Sequence, residues 1–249
     1  MSPGWLALAA AASLLAGAVA SVTGFGIGSL LTPVLAARTG MRLAVAAVAI
    51  PHVAGTALRF WMLRAHVDRR LLWRFGLLSG AGGLVGALLQ ERAASPALTA
   101  VFGGLLVFAG LTGLTGWVER MRFKGWMAWA AGALSGLLGG LVGNQGGIRS
   151  AAMLGFDVPK QAFVATATAV ALMVDGARLP VYLHGHREAI AGLWPFLSVA
   201  SAGVLVGTAV GGRVLRRVPE GAFRRIVSAV ILVLGLATLG RLGLMGRER

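Results

Sequence analysis

Five ionisable residues stand out in or near the long apolar runs of this chain: His52, Arg59, Arg149, Asp175 and Arg178. Charge is costly there and marks a ligand pathway, a proton relay or a structural pair. Three of the five are arginines, fixed cations whose forked donors suit oxyanions, so the chemistry on offer is the capture of an anion. His52, Thr56 and Arg59 follow at helical spacing on one face, and Asp175 and Arg178 lie three residues apart on another. Asp175 is the one carboxylate inside an apolar run, and it reads either as the counter-ion of Arg178 or as a proton-coupling group. Arg59 and Arg178 sit near the ends of their runs, where snorkelling to the interface is the plainer role. His52 follows the kink-forming Pro51 with no acidic or thiol cluster beside it, so it reads as a polar helix contact; neither a metal nor a cofactor is expected.

Two glycine-broken stretches have to position these groups. Thr23-Gly24-Phe25-Gly26-Ile27-Gly28 and Val142-Gly143-Asn144-Gln145-Gly146-Gly147 recur at an offset of 119 residues. At that offset Gly17, Gly24, Gly28, Thr56 and Arg59 fall opposite Gly136, Gly143, Gly147, Asp175 and Arg178, the mark of a duplicated plan. A glycine costs a helix about 1 kcal/mol relative to alanine, so clusters this dense predict unwound turns. Freed backbone groups inside a bilayer are tolerated only when buried in protein or lining a wet cavity, and paired breaks in matching positions point to a substrate site. A short helical arm follows each break and aims a partly positive N-terminus at the middle; Arg149, expected in the first turn of the second arm, adds a full charge.

The predicted substrate-binding residues are therefore Gly24, Phe25, Gly26 and Gly28 from the first break and Gly143, Asn144, Gln145, Gly146, Gly147 and Arg149 from the second. Thr166 and Thr168 can offer hydroxyls to a ligand or bond to the preceding turn of their own helix. His52, Arg59, Asp175 and Arg178 are the candidates for coupling or gating. The competing structural roles are close helix packing for the glycines, above all at 80–86 and 103–113, and pairing with freed carbonyls for Arg149.

The surrounding composition is that of a membrane protein. Of 249 residues 57% are hydrophobic and 12% charged, and the mean hydropathy is +0.81. Apolar runs at 4–22, 43–63, 71–89, 97–117, 126–142, 162–183, 191–212 and 226–245 approach or exceed the roughly 20 residues that cross a hydrocarbon core. The run at 4–22 lacks a basic flank and continues into the first break, so it reads as mature structure and not as a signal peptide. The net charge of +15 gathers in short loops, where it orients the chain; nucleic acid is not an expected partner. There is no cysteine, hence no disulfide or thiolate chemistry. One membrane domain, 1–249, divides into repeats 1–119 and 120–249.

Loop charge gives the topology. The loop at 64–70 carries three arginines against Asp68, whereas its counterpart at 184–189 balances Arg187 with Glu188. The loop at 90–96 is balanced too, while 213–225 has five arginines against Glu220. Corresponding loops thus prefer opposite sides, which puts those near 67, 121 and 219 inside and those near 93 and 186 outside, with the repeats inverted. Inversion needs an odd number of crossings per half. The expected fold is an all-α integral membrane protein of two inverted-topology repeats, each a glycine-broken, re-entrant helical hairpin plus three transmembrane helices. The arm at 29–38 is about 15 Å long as a helix, enough to reach the middle of the bilayer. The alternative is eight plain crossings with parallel halves, which Arg247 and Arg249 favour.

The pattern Gly17-x6-Gly24-Phe25-Gly26-x-Gly28, then Leu31-Thr32-Pro33-Val34-Leu35, the second glycine cluster and Lys160-x5-Ala165-Thr166-Ala167-Thr168 resembles the TauE/SafE family of sulfite and sulfonate exporters over nearly the whole length. The resemblance implies movement of small sulfur-containing or organic anions across the bacterial inner membrane by a multi-pass protein. The second motif departs from the family's: Asn144, Gln145 and Arg149 replace glycine and a Pro-x-Leu ending, which suits a larger or differently hydrogen-bonded anion. The expected function is a secondary transporter or facilitator for a small anion, with alternating access around a midplane site; no Gly-x4-Gly-Lys-Ser/Thr loop for ATP is present. Two other classes stand beside it. An intramembrane enzyme acting on a lipid phosphate would want a carboxylate pair or metal, and a cation transporter would want carboxylates where the arginines stand. Partners are the anion and the lipid bilayer, and the lipid-facing surface is compatible with a homodimer.

Overall fold

A computed structural model describes residues 2–93, 96–117, 126–142 and 145–245. Among them every regular element is helical. The first helix, α1 (Pro3–Thr23), ends because Gly24 turns left-handed at φ +84° and returns its N–H to the Ala20 carbonyl. Gly26 follows at φ +130°, a second value that suits glycine alone, and the chain re-enters a helix as α2 (Ile27–Thr39). The Thr23 hydroxyl closes this turn by donating to the Phe25 carbonyl at 2.7 Å.

Helix α3 (Met41–Leu63) leads through a 3-10 turn (Arg64–His66) to the short α4 (Arg69–Leu71), a π-helical stretch (Leu72–Gly76) and α5 (Leu77–Ala93). The apolar run at 71–89 is thus not one uniform helix: it widens where the Phe75 backbone lies against Gly132. Next come α6 (Pro96–Leu114), α7 (Trp126–Val142), the nine-residue α8 (Gln145–Met153), α9 (Lys160–Ala191), α10 (Trp194–Arg217) and α11 (Glu220–Met245). Asp68 caps α4, its Oδ1 accepting from Leu71 N at 2.9 Å. Asp68→Ala is expected to cost about 1 kcal/mol, read as a lowered melting temperature in detergent.

The helices pair reciprocally across residue 119. The first helix of each half lies along the last but one of the other: α1 on α10, and α7 on α5. The last helices, α6 and α11, pair with each other, as do α3 and α9. These contacts are close because glycine lines them. A Cβ on Gly17 would stand 2.3 Å from the Val204 carbonyl oxygen, and one on Gly136 2.2 Å from that of Ser79. These two glycines correspond at the 119-residue offset, and both serve packing. Gly82, Gly103, Gly110 and Gly113 are likewise packed tightly, whereas Gly80 and Gly104 face open space.

A ring contact joins the far ends of the first broken segment, and Phe75 bridges those of the second. The Arg38 guanidinium at the end of α2 lies 5.0 Å from the ring of Trp5 at the start of α1, and Trp5 meets Phe196 of α10 at 5.2 Å. In the second half Phe156, beyond α8, packs edge-on against Phe75 at 6.1 Å, and Phe75 also covers Gly132 near the start of α7. That second end is tied together by polar contacts. Lys160 Nζ donates to the Val218 carbonyl, its backbone N–H donates to Glu220 at 3.0 Å, and Arg224 pairs with Asp157 at 3.6 Å. The Asp68 N–H donates to Thr166 Oγ1 at 3.0 Å. Helices α3, α9 and α10 run between the two ends. Each end has its own apolar core, one around Trp5, Leu31 and Phe196, the other around Phe75, Phe163 and Phe223.

Among the described residues four helices, Pro3–Thr23, Leu43–His66, Trp194–Arg217 and Glu220–Gly240, are long and apolar enough to cross a membrane. Outward-facing leucine, valine and phenylalanine cover the sides of the bundle. Exposed Trp61, Trp73, Trp117 and Trp126 stand at or near helix ends, with Trp194 at the start of α10, where amphipathic rings mark the two membrane interfaces.

Candidate functional site

The two breaks meet. Phe25, buried in the first, presses its Cβ to 2.7 Å from where a Cβ of Gly146 would stand, in the opening turn of α8. Gly24 lies against Ala167 of α9 at 3.2 Å by the same measure, and Gly28 faces the His52 ring of α3 at 3.9 Å. The first break is thereby wedged among α3, α8 and α9, which carry the charged residues.

Helices α3 and α9 run antiparallel, and two polar rungs cross their seam. His52 Nδ1 lies 2.7 Å from Asp175 Oδ2; seven residues along each helix, Arg59 Nε donates to Thr168 Oγ1 at 2.7 Å. Thr168 completes its bonding by donating to the Val164 carbonyl at 2.6 Å. Arg59 is only 2% exposed, yet its Nη1 has no hydrogen-bond partner among the described residues, and neither has the Thr56 hydroxyl between the rungs. Arg149, 3% exposed on α8, is close enough for its like charge to act on Arg59, against the opposite charge of Asp175. Among the described residues these are the buried charged side chains, so the centre carries two guanidinium groups and one carboxylate.

Asp175 pairs across the seam with His52, while the side chain of its sequence neighbour Arg178 lies outside the described residues. Gly143 and Asn144 lie outside them too, as does the Gln145 side chain. Arg149 falls in the second turn of α8, because the helix starts directly at Gln145. Gly147 faces Leu106 and Leu234, an apolar contact. Thr166 points away from the centre and holds Asp68, and Lys160 holds the loop between α10 and α11. Three polar residues at or near the centre were not singled out from sequence as binding groups: Thr23, which closes the first turn, Thr56, and Ser150, fully buried beside Arg149 with its hydroxyl unpartnered among the described residues. A hydroxyl abutting a glycine break, or within one helical turn of a buried arginine, is the signal that finds them.

Fold and site together define a multi-pass α-helical membrane protein with a cationic centre buried where two helix breaks meet. The chain belongs to the sulfite exporter TauE/SafE family, whose model matches residues 9–238. In part of its length it is also similar to a heme A synthase of Caulobacter sp. (strain K31), 35% identical over 129 residues that make up 43% of this chain. The match spans 36% of that relative's length, and the heme chemistry in its name is said of the relative. No solved structure matches the chain.

Proposed function

We propose that this chain is a secondary transporter or facilitator for a small sulfur oxyanion or sulfonate in the bacterial inner membrane. The observation that carries this reading is Arg59: a guanidinium sealed from solvent, anchored through Nε and with one donor unpartnered among the described residues, in the field of Arg149. An unsatisfied buried donor is costly, and among the described residues two buried cations stand against one buried carboxylate. An oxyanion supplies both the acceptors and the charge.

The reciprocal packing of the halves, and the hairpins whose bases lie at opposite ends, support two inverted repeats, 1–119 and 120–249, with re-entrant broken helices. On this reading one pseudo-symmetric half rocks against the other and opens the centre to each side in turn. The test is flux of sulfite, sulfate, thiosulfate and short sulfonates in proteoliposomes. At least one is expected to move in a saturable manner. No flux of any of them through well-inserted protein would sink the proposal.

A further inference from the structure

Thr56 sits one turn from the sealed guanidinium, and no contact in the described protein accounts for its hydroxyl. The residue is fully buried on α3, yet its Oγ1 has no hydrogen-bond partner among the described residues. A helical threonine ordinarily donates to the carbonyl four residues back, as Thr39, Thr112, Thr168 and Thr238 do at 2.6–3.1 Å. Thr56 leaves that bond to the His52 carbonyl unmade. Ser135, Ser150 and Thr208 also have buried hydroxyls without a partner among the described residues, but they lie on other helices. Thr56 is the one on the α3 face that carries Arg59.

The two rungs of the α3–α9 seam bound the space beside it. Both close at 2.7 Å, and the seven residues from His52 to Arg59 span about 10 Å of helix. The helices are antiparallel, so in this register Thr56 falls level with Ala171, whose methyl offers a hydroxyl nothing to bond. Arg59 is held through Nε by Thr168, itself committed to the Val164 carbonyl, so the guanidinium keeps a fixed place on the same face. Arg59 Nη1 and Thr56 Oγ1 are thus two buried donors, three residues apart on one helix face, and neither has an acceptor among the described residues. An anion with two oxygens on one centre supplies an acceptor to each.

We infer that the Thr56 hydroxyl binds the anion directly: with Arg59 Nη1 it donates to two oxygens of one small oxyanion seated between the rungs. The inference rests on the anion-transport reading and adds a specificity-determining residue to it. A hydroxyl brings no charge, so Thr56 reads where the oxygens of the anion lie and not how much charge it carries. A site built to hydrogen-bond its ligand rejects a ligand that leaves a buried donor unpaired.

Thr56→Val keeps the shape of the side chain and removes the hydroxyl. Binding of sulfite, sulfate, thiosulfate and methanesulfonate is read as ligand-induced thermal stabilisation in detergent, and transport as flux in proteoliposomes. For the anions that the wild type moves, Thr56→Val is expected to raise the half-saturating concentration about tenfold to hundredfold, the weight of a hydrogen bond to a charged group. Without ligand this variant should melt at or above the wild-type temperature, because it loses a buried hydroxyl that has no partner. Thr56→Ser keeps the hydroxyl and should bind within about threefold of wild type. An unchanged half-saturating concentration in Thr56→Val, or an equal rise in Thr56→Ser, overturns the inference while leaving anion transport standing. A lowered melting temperature of ligand-free Thr56→Val overturns it too, since the hydroxyl would then serve the fold. Failure of all four anions to bind or move in the wild type overturns the transport reading itself.

Discussion

Arg149→Ala is expected to abolish anion flux while the protein remains inserted and monodisperse. Arg149 is buried on α8 within electrostatic reach of Arg59, and the two share a sign. Removing one member of a buried, hydrogen-bonded charge pair costs about 2–5 kcal/mol, which is a thirtyfold to several-thousandfold loss of affinity for the anion. Stability is read separately, because the same variant removes one of two like charges that act on each other. Arg149→Lys should fall between, keeping the charge and losing the planar fork. The measurement is substrate flux per inserted protein, with thermal unfolding in detergent as the control. Flux at the wild-type rate in the alanine variant would remove Arg149 from the site.

Gly207→Leu is expected to prevent assembly of the bundle. A Cβ at this position would lie 2.0 Å from the Leu14 carbonyl oxygen, 2.9 Å from its carbon and 3.0 Å from the Ala18 nitrogen, all backbone atoms of α1. No rotamer change relieves a clash with backbone, so α1 and α10 must part. The cost exceeds the about 1–3 kcal/mol of ordinary overpacking. Most of the expressed protein should then run as aggregate in size-exclusion chromatography. Gly104→Ala, where nothing lies within 4 Å of an added Cβ, is the matched control and should behave as wild type. Normal assembly of Gly207→Leu would mean that the α1–α10 contact is looser than this packing.

Much of the first break was legible in the sequence, because three glycines in five residues leave a helix few options, and Gly24 and Gly26 do adopt backbone angles reserved for glycine. The glycines at 103–113 were readable as packing residues for a similar reason: small residues recur where apolar helices touch. The centre was legible as a set of residue types and not as a set of pairs. Local spacing offers Arg178 to Asp175, and the structure adds His52, 123 residues distant, from across the seam. Thr168 was readable as a hydroxyl near a ligand, but its role as the clamp on Arg59 depends on the register of α3 against α9. The exchange of first helices between halves left no trace in periodicity, since α1 presents small residues to any partner it meets.

That exchange bears on how the protein is made. Ser21 of α1 hydrogen-bonds the Thr208 carbonyl of α10 across 187 residues of chain, and glycines let the two backbones touch. When α1 leaves the ribosome its partner has not been synthesised, so it must wait in lipid while most of the chain is threaded behind it. Contacts of such long range close late and slowly. Neither half can complete its own packing, so each made alone should be a target for membrane quality control, and the two made as separate polypeptides in one cell should rescue each other.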